Sequence, residues 1–228
     1  MLKQFVCVRR TQMNDVNLAL FNYDYDVTFM AYFLSPQEGV YSRFGGRDAD
    51  SADGRLSVAG LKHTMKLVLA AHQKTPEIAA PAPPPKLPHQ LFQVKGNGCM
   101  HCHHVWEGLR KQAKKDGTLT PQLLQPYPMP ENVGLKMERD AGNIVAEVLP
   151  NSPAYKIGLR DGDRLTIVNQ VPIFAQGDIF WALHKAPSQG TASISWQRGD
   201  QPMASELELT AGWRKTDTTW RHSMRKNK

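Results

Sequence analysis

Gly158-Leu159-Arg160-Asp161-Gly162-Asp163-Arg164-Leu165 reads as a helix stop, a tight turn and the start of a strand. Glycine at 158 suits the left-handed residue that closes a helix, Asp161-Gly162 supplies turn chemistry, and a strand follows over 165–169. Working outward, Pro150-Asn151-Ser152-Pro153-Ala154 leads into the short helix that Gly158 ends, and 143–149 forms a strand before it. Downstream, 178–185 reads as a second helix, and 192–197 and 205–209 as closing strands. Short strands separated by turn signals, with two helices between them, imply a small mixed unit around one core.

Residues 131–211 resemble a PDZ domain of the kind found in bacterial HtrA-type proteases, a partly open β-barrel with two helices. The resemblance rests on Gly158–Leu165 and on Asn132-Val133-Gly134-Leu135, which stands where that family has its carboxylate-binding loop. It implies capture of an extended peptide, or a protein C-terminus, added as a strand beside 135–137. Val133, Gly134 and Leu135 would hold the peptide end, and Gly134 would let the carboxylate reach backbone amides. Phe180, Trp181 and His184 would line the groove from the second helix, although one of the adjacent Phe180 and Trp181 must face the core. No serine protease elbow or triad is present.

A second motif is Cys99-Met100-His101-Cys102-His103, followed by a helix-forming run over 104–115 and the stop Asp116-Gly117. Two thiols one turn apart, with a histidine directly after, match covalent attachment of a c-type haem. Cys99 and Cys102 would bond the vinyl carbons and His103 would bind the iron. Met129, between two prolines, is the first candidate for the sixth ligand, with His101, His104 and His89 as alternatives. Other readings stay open: a zinc or copper site, a redox-active dithiol that would make the chain a thiol-disulfide oxidoreductase, and a structural disulfide. Gly96-Asn97-Gly98 would turn the backbone into the motif.

The first 74 residues suggest a strand over 5–9, an apolar strand over 27–34 covered on both faces, a turn at 35–39, a return strand over 40–44 and a helix from Ser57 to about 73. The stretch 29–47 resembles the back half of bacterial thioredoxin-like proteins. Two departures from that family imply no disulfide exchange: the front half with its catalytic cysteines does not precede it, and Asp26-Val27-Thr28 stands where a cis-proline is placed. Cys7 reads as a small core residue. Residues 75–88 hold six prolines in fourteen and form an extended spacer.

The fold class is therefore α+β and multidomain: a truncated thioredoxin-like α/β unit (1–74), a Pro-rich linker (75–88), a short helical C-x-x-C-H segment (89–130), a PDZ domain (131–211) and a basic tail (212–228). Net charge is +7, of which +5 falls on the last sixteen residues. That tail is expected to be solvated, with Trp213 and Trp220 packed on the body and contact with an acidic membrane surface as the alternative. Nucleic-acid binding is not expected, because no basic face alternates with aromatics. No stretch is apolar enough to span a bilayer. Residues 1–9 lack the pattern of a secretory signal. Haem attachment would nonetheless imply an exported, periplasmic bacterial protein, begun upstream of Met1. Together these features suggest a non-catalytic haem-c-binding electron-transfer protein with a peptide-docking module and an unidentified redox partner. The runner-up is a PDZ adaptor with a structural or metal-binding Cys-x-x-Cys.

Overall fold

The computed structural model describes residues 1–76, 84–92 and 99–225. After a short 3₁₀ turn at Leu2–Gln4, the elements run β1 (Met30–Leu34), β2 (Val40–Gly45), α1 (Val58–Lys74), α2 (Pro88–Leu91), α3 (Cys102–Asp116), α4 (Pro121–Leu124), a 3₁₀ turn (Pro130–Val133), β3 (Leu135–Met137), β4 (Val145–Val148), α5 (Pro153–Lys156), β5 (Arg164–Val168), β6 (Val171–Pro172), α6 (Gln176–Lys185), β7 (Gly190–Arg198), β8 (Gln201–Leu209) and α7 (His222–Arg225). The spacer residues 77–83 and the Gly96-Asn97-Gly98 turn lie outside the described residues.

Residues from β3 to β8 carry the first core. β3 and β4 pair antiparallel, and β6-β5-β7-β8 form a four-stranded sheet. The two are stitched by Val145 N–H to Asp163 O and Leu165 N–H to Asn143 O, both 2.9 Å. Strand alternation sends Ala192, Ile194 and Trp196 of β7 inward, opposite Leu207 and Leu209 of β8. Ile179, Ala182 and Leu183 of α6 close the core from above. Each fully buried Ile or Leu among them contributes about 1.5–3 kcal/mol against exposure. Asp163 sets the turn read from 158–165: its carboxylate accepts from Arg160 N–H at 2.9 Å and from Arg198 at 2.8 and 2.9 Å.

The N-terminal part departs from its sequence reading. Residues 5–9 form no strand; Val6 is 95% exposed and Cys7 is on the surface, not in a core. A strand needs an edge to pair with, and residues 5–9 pair with none of the described strands. The strand expected over 27–34 shortens to Met30–Leu34 and is only half-buried, because a two-stranded hairpin offers no second layer to cover its other face. The hairpin turn is as expected: Ser35 Oγ accepts from Gln37 and Gly39 N–H. So is α1, capped by Ser57 Oγ accepting from Gly60 N–H at 2.8 Å. α1 lays Met65 and Val68 on Phe33, Tyr41 and Phe44.

A further apolar cluster draws on every part of the chain. Tyr23 and Tyr25, Phe92, Met100, Val105 and Trp106 of α3, Tyr127 and Met129, and Phe180 of α6 pack together. The described part of the tail closes on it, and Arg214 and Arg221, expected to be solvated, are buried. Arg214 donates to the carbonyls of Leu183, His184 and Ala186 at the end of α6, where its charge also complements the helix dipole. Burial pulls Arg214 down to about 10. Arg221 is completely buried, pairing with Asp24. Trp213 packs in the first core and Trp220 against the aromatic cluster. Among the described residues no helix is long and apolar enough to cross a membrane.

Candidate functional site

The peptide groove expected from the sequence would have β3 as one wall and α6 as the other. Its entry is the turn Pro130–Val133 followed by Gly134 at φ +89°. A side chain at 134 would meet the Ser152 hydroxyl oxygen at 2.0 Å, so glycine is required by packing as well as by backbone conformation. Val133 and Leu135 are buried in the first core and give the loop its anchor. Among the described residues β3 pairs with β4 along one edge only, which leaves the backbone donors and acceptors of its other edge without a strand partner.

The helix wall is already covered by the chain itself. Phe180 is 4% exposed and belongs to the aromatic cluster. Trp181 lies under the Arg43 guanidinium, 4.7 Å from its ring centre. His184 stacks on Tyr127 with ring centres 4.2 Å apart and planes 2° from parallel. Its Nδ1 accepts from Tyr127 N–H at 3.3 Å. Burial, then Arg214, Arg221 and Lys185, hold His184 down at about 3, so it is neutral at ordinary pH. These three side chains thus pack against the protein's own chain and do not face open solvent along a groove.

Two polar devices hold that cover down. Asp178, at the start of α6, accepts from Ser42 Oγ and Arg43 N–H of β2, both 2.7 Å, and from Phe174 and Ala175 N–H, both 3.1 Å. Burial pushes it up to about 6, while the Ser42 hydrogen bond and the Arg43 charge pull it back. Gly177 permits the contact, since a Cβ there would stand 2.2 Å from Arg43 O. The second device is Arg55. Its guanidinium pairs with Asp48 at 2.9 Å and with Glu131 at 2.8 Å, and stacks over the Phe180 ring at 5.6 Å. It therefore ties the loop before α1 to both sides of the groove mouth. Arg139 Nε donates to Leu56 O at 2.7 Å and fixes the same loop beside the end of β3.

The C-x-x-C-H segment opens α3. Cys99 is exposed and accepts from Gln12 Nε2 at 3.4 Å; Cys102 is half-buried with its Sγ 3.1 Å from Tyr23 OH. Burial, then the Cys102 sulfur, push the Tyr23 phenol well above its usual range. Both thiols are free. Met100 is buried, and its carbonyl accepts from Met13 N–H at 3.0 Å. His101 and His104 are joined by the His101 N–H to His104 Nδ1 bond at 3.1 Å. His103 pairs with Glu107 at 3.0 Å, and its ring neighbours are His101, His104 and His222. Met129 is buried in the aromatic cluster, and His89 is exposed, with Nδ1 3.1 Å from Asn14 O. The structure therefore sets His103 beside two partners the sequence reading did not name, Glu107 and His222, while Cys102 meets Tyr23. The i,i+4 spacing of His103 and Glu107 was the legible half of that signal.

Residues 132–209 match the PDZ domain family model. No curated protein matches the chain. Among solved structures, the chain is similar to the HtrA3 PDZ domain bound to a phage-derived ligand (FGRWV), with 24% identity and a TM-score of 0.29 over 33% of this chain and 81% of that one. It is also similar to the HtrA-type protease AlgW with a decapeptide, with 18% identity and a TM-score of 0.31 over 52% of this chain. It covers 39% of that protease's length. Residues 132–209 thus form a PDZ-like domain, set in a mixed α/β structure.

Proposed function

We propose that the chain is a non-catalytic docking protein whose PDZ domain takes an extended peptide or protein C-terminus along the free edge of β3. The β1–β2 hairpin and the loop carrying Arg55 act as an internal cover over the helix side of that groove. The observation that carries this reading is Arg55, which spans from Glu131 at the groove entry to Phe180 on the groove helix. A peptide must displace the cover, so its apparent affinity is reduced by the fraction of molecules in which the cover is open. On this reading residues 1–74 contribute a lid and no chemistry.

The test uses the full chain and a display library of free C-terminal peptides, followed by fluorescence anisotropy on the enriched sequences. The Arg55→Ala variant is expected to bind about tenfold more tightly than the parent, because the clamp no longer competes. Amidating the peptide C-terminus is expected to abolish binding. Failure of both proteins to bind any peptide, or indifference to amidation, sinks the docking reading.

The free thiols support a second reading, haem attachment. Cys99 and Cys102 flank the start of α3 with His103 next in line, as that chemistry needs. The porphyrin would supply one-electron transfer, and the protein's part would be to hold it through two thioethers and one imidazole. Tyr23 would have to withdraw from Cys102 to admit it. Attachment of this kind is made outside the bacterial cytoplasm, so the reading carries an exported location with it. Coexpression with a cytochrome c maturation system is expected to give a red protein whose absorption survives denaturation. A colourless product with two titratable thiols at 99 and 102 removes this reading and leaves the docking function untouched.

A further inference from the structure

The outer face of α3 gathers a set of donors that neither reading uses as a set. His103 Nδ1 lies 3.0 Å from Glu107 Oε1. The His222 ring, from the far end of the chain, stands 4.4 Å from that of His103. One donor atom from each of His103, Glu107 and His222 falls within 4.8 Å of the other two. We propose that these three side chains form a binding site for a divalent transition-metal ion of the zinc class.

The chemistry of the set narrows the ion. Two imidazoles and one carboxylate, without sulfur, suit Zn²⁺ and its neighbours better than soft Cu(I) or the oxygen-preferring Ca²⁺ and Mg²⁺. Three protein ligands leave at least one coordination position for water or an exogenous group.

The set is also built, not merely crowded on a surface. His103 and Glu107 are one helical turn apart and share a face of α3. His222 is held opposite them by its buried neighbours in sequence. Arg221 pairs with Asp24. Ser223 N–H and Oγ donate to the two oxygens of Asp26 at 3.0 and 2.6 Å. Arg110, two turns along α3 from His103, donates to Ser223 O at 3.2 Å. A buried polar network thus fixes the α7 backbone before any ion arrives, which lowers the ordering cost of binding. An ion there would clamp the end of the chain onto α3 and stabilise the fold by linkage.

The experiment takes the full-length, haem-free protein, stripped with chelator, and titrates it with Zn²⁺ by calorimetry and with Co²⁺ by absorption. One ion per chain is expected, with a raised melting temperature. His222→Ala and Glu107→Gln are each expected to weaken Zn²⁺ about a hundredfold or more. Both positions lie at the surface or half-exposed, so the folded state survives. The double variant Cys99→Ser/Cys102→Ser is expected to bind as the parent does, and the Co²⁺ spectrum to lack sulfur-to-metal charge transfer. Binding that is lost with the cysteines but kept in His222→Ala overturns the proposal. So does the absence of stoichiometric binding, or a matured protein whose His103 is taken by haem iron.

Discussion

Replacing Arg221 with methionine is expected to lower the free energy of unfolding by about 3–5 kcal/mol, the usual cost of removing one partner from a buried ion pair. Arg221 is fully buried, and its Nη1 meets Asp24 and lies 3.9 Å from Asp26. Its Nη2 donates to Tyr127 O at 3.4 Å, and its charge lies 4.5 Å from the centre of the Trp220 ring. Methionine keeps much of the volume and none of the charge, so Asp24 is left as an uncompensated buried carboxylate. Burial already pushes Asp24 above its ordinary value, and Arg221 is the main influence pulling it back. Without the guanidinium, the folded protein holds a proton on Asp24 that the unfolded chain releases. Stability of the variant must therefore fall as pH rises, and the loss relative to the parent should be larger at pH 8 than at pH 5. Urea unfolding followed by tryptophan fluorescence at the two pH values measures both quantities. Adding Asp24→Asn should recover part of the loss, because the orphaned charge goes with it. A loss below about 1 kcal/mol at both pH values would show that the tail is not held by this pair.

That dependence on a distant residue explains which parts of the fold were legible in the sequence. Gly158–Leu165 carries its own instructions: a left-handed glycine, an Asp-Gly turn and a strand whose register follows from alternation. The two helices and closing strands of the PDZ domain follow from similar local signals, and Ser57 and Gly117 mark their helix ends in the same way. The Arg221–Asp24 contact has no local signature. A run of basic residues near a chain end is ordinarily solvated, and only the presence of Asp24 and Asp26, 197 residues away by the Ser223–Asp26 spacing, makes burial favourable. The same reasoning covers residues 5–9, where valine and phenylalanine gave a strand pattern. Propensity in a strand reflects the surface it packs on, and residues 5–9 pair with none of the described strands.

The candidate sites divide along the same line. Gly134 and the start of β3 were readable from the PDZ resemblance, and Cys102 and His103 from a five-residue motif. Phe180, Trp181 and His184 were placed on the right helix, but their cover was not readable, because it comes from Arg55, Arg43 and Tyr127, all distant in sequence. His222 was hidden for a similar reason: its position against His103 depends on Arg221 and Ser223 being anchored first. In each case the missing information is a contact between residues far apart in sequence.

The Asp178 contact sets the second large effect. Asp178→Asn is expected to cost about 2–4 kcal/mol, since an amide nitrogen in place of either carboxylate oxygen faces donors it cannot satisfy. One oxygen accepts from Arg43 N–H; the other accepts from Ser42 Oγ and from the N–H groups of Phe174 and Ala175. Whichever way the amide turns, at least one buried backbone N–H loses its acceptor. The sign of the pH dependence follows from the value of about 6, above the ordinary 3.8. The folded protein binds the Asp178 proton more tightly than the unfolded chain does. This group's contribution to stability is therefore full below about pH 4 and declines as pH rises through 6. Asparagine has no such step, so the gap between parent and variant should widen as pH is lowered from 7 to 4. Because Asp178 joins α6 to β2, the loss should be local as well as global. Amide exchange in Val40–Gly45 should quicken more than exchange in β5 or β7, and the C-terminal peptides that favour Arg55→Ala should also bind this variant more tightly. Uniform exchange across both regions would mean that the hairpin is not a separable cover, and the groove would then be a buried seam of the fold with no peptide to admit.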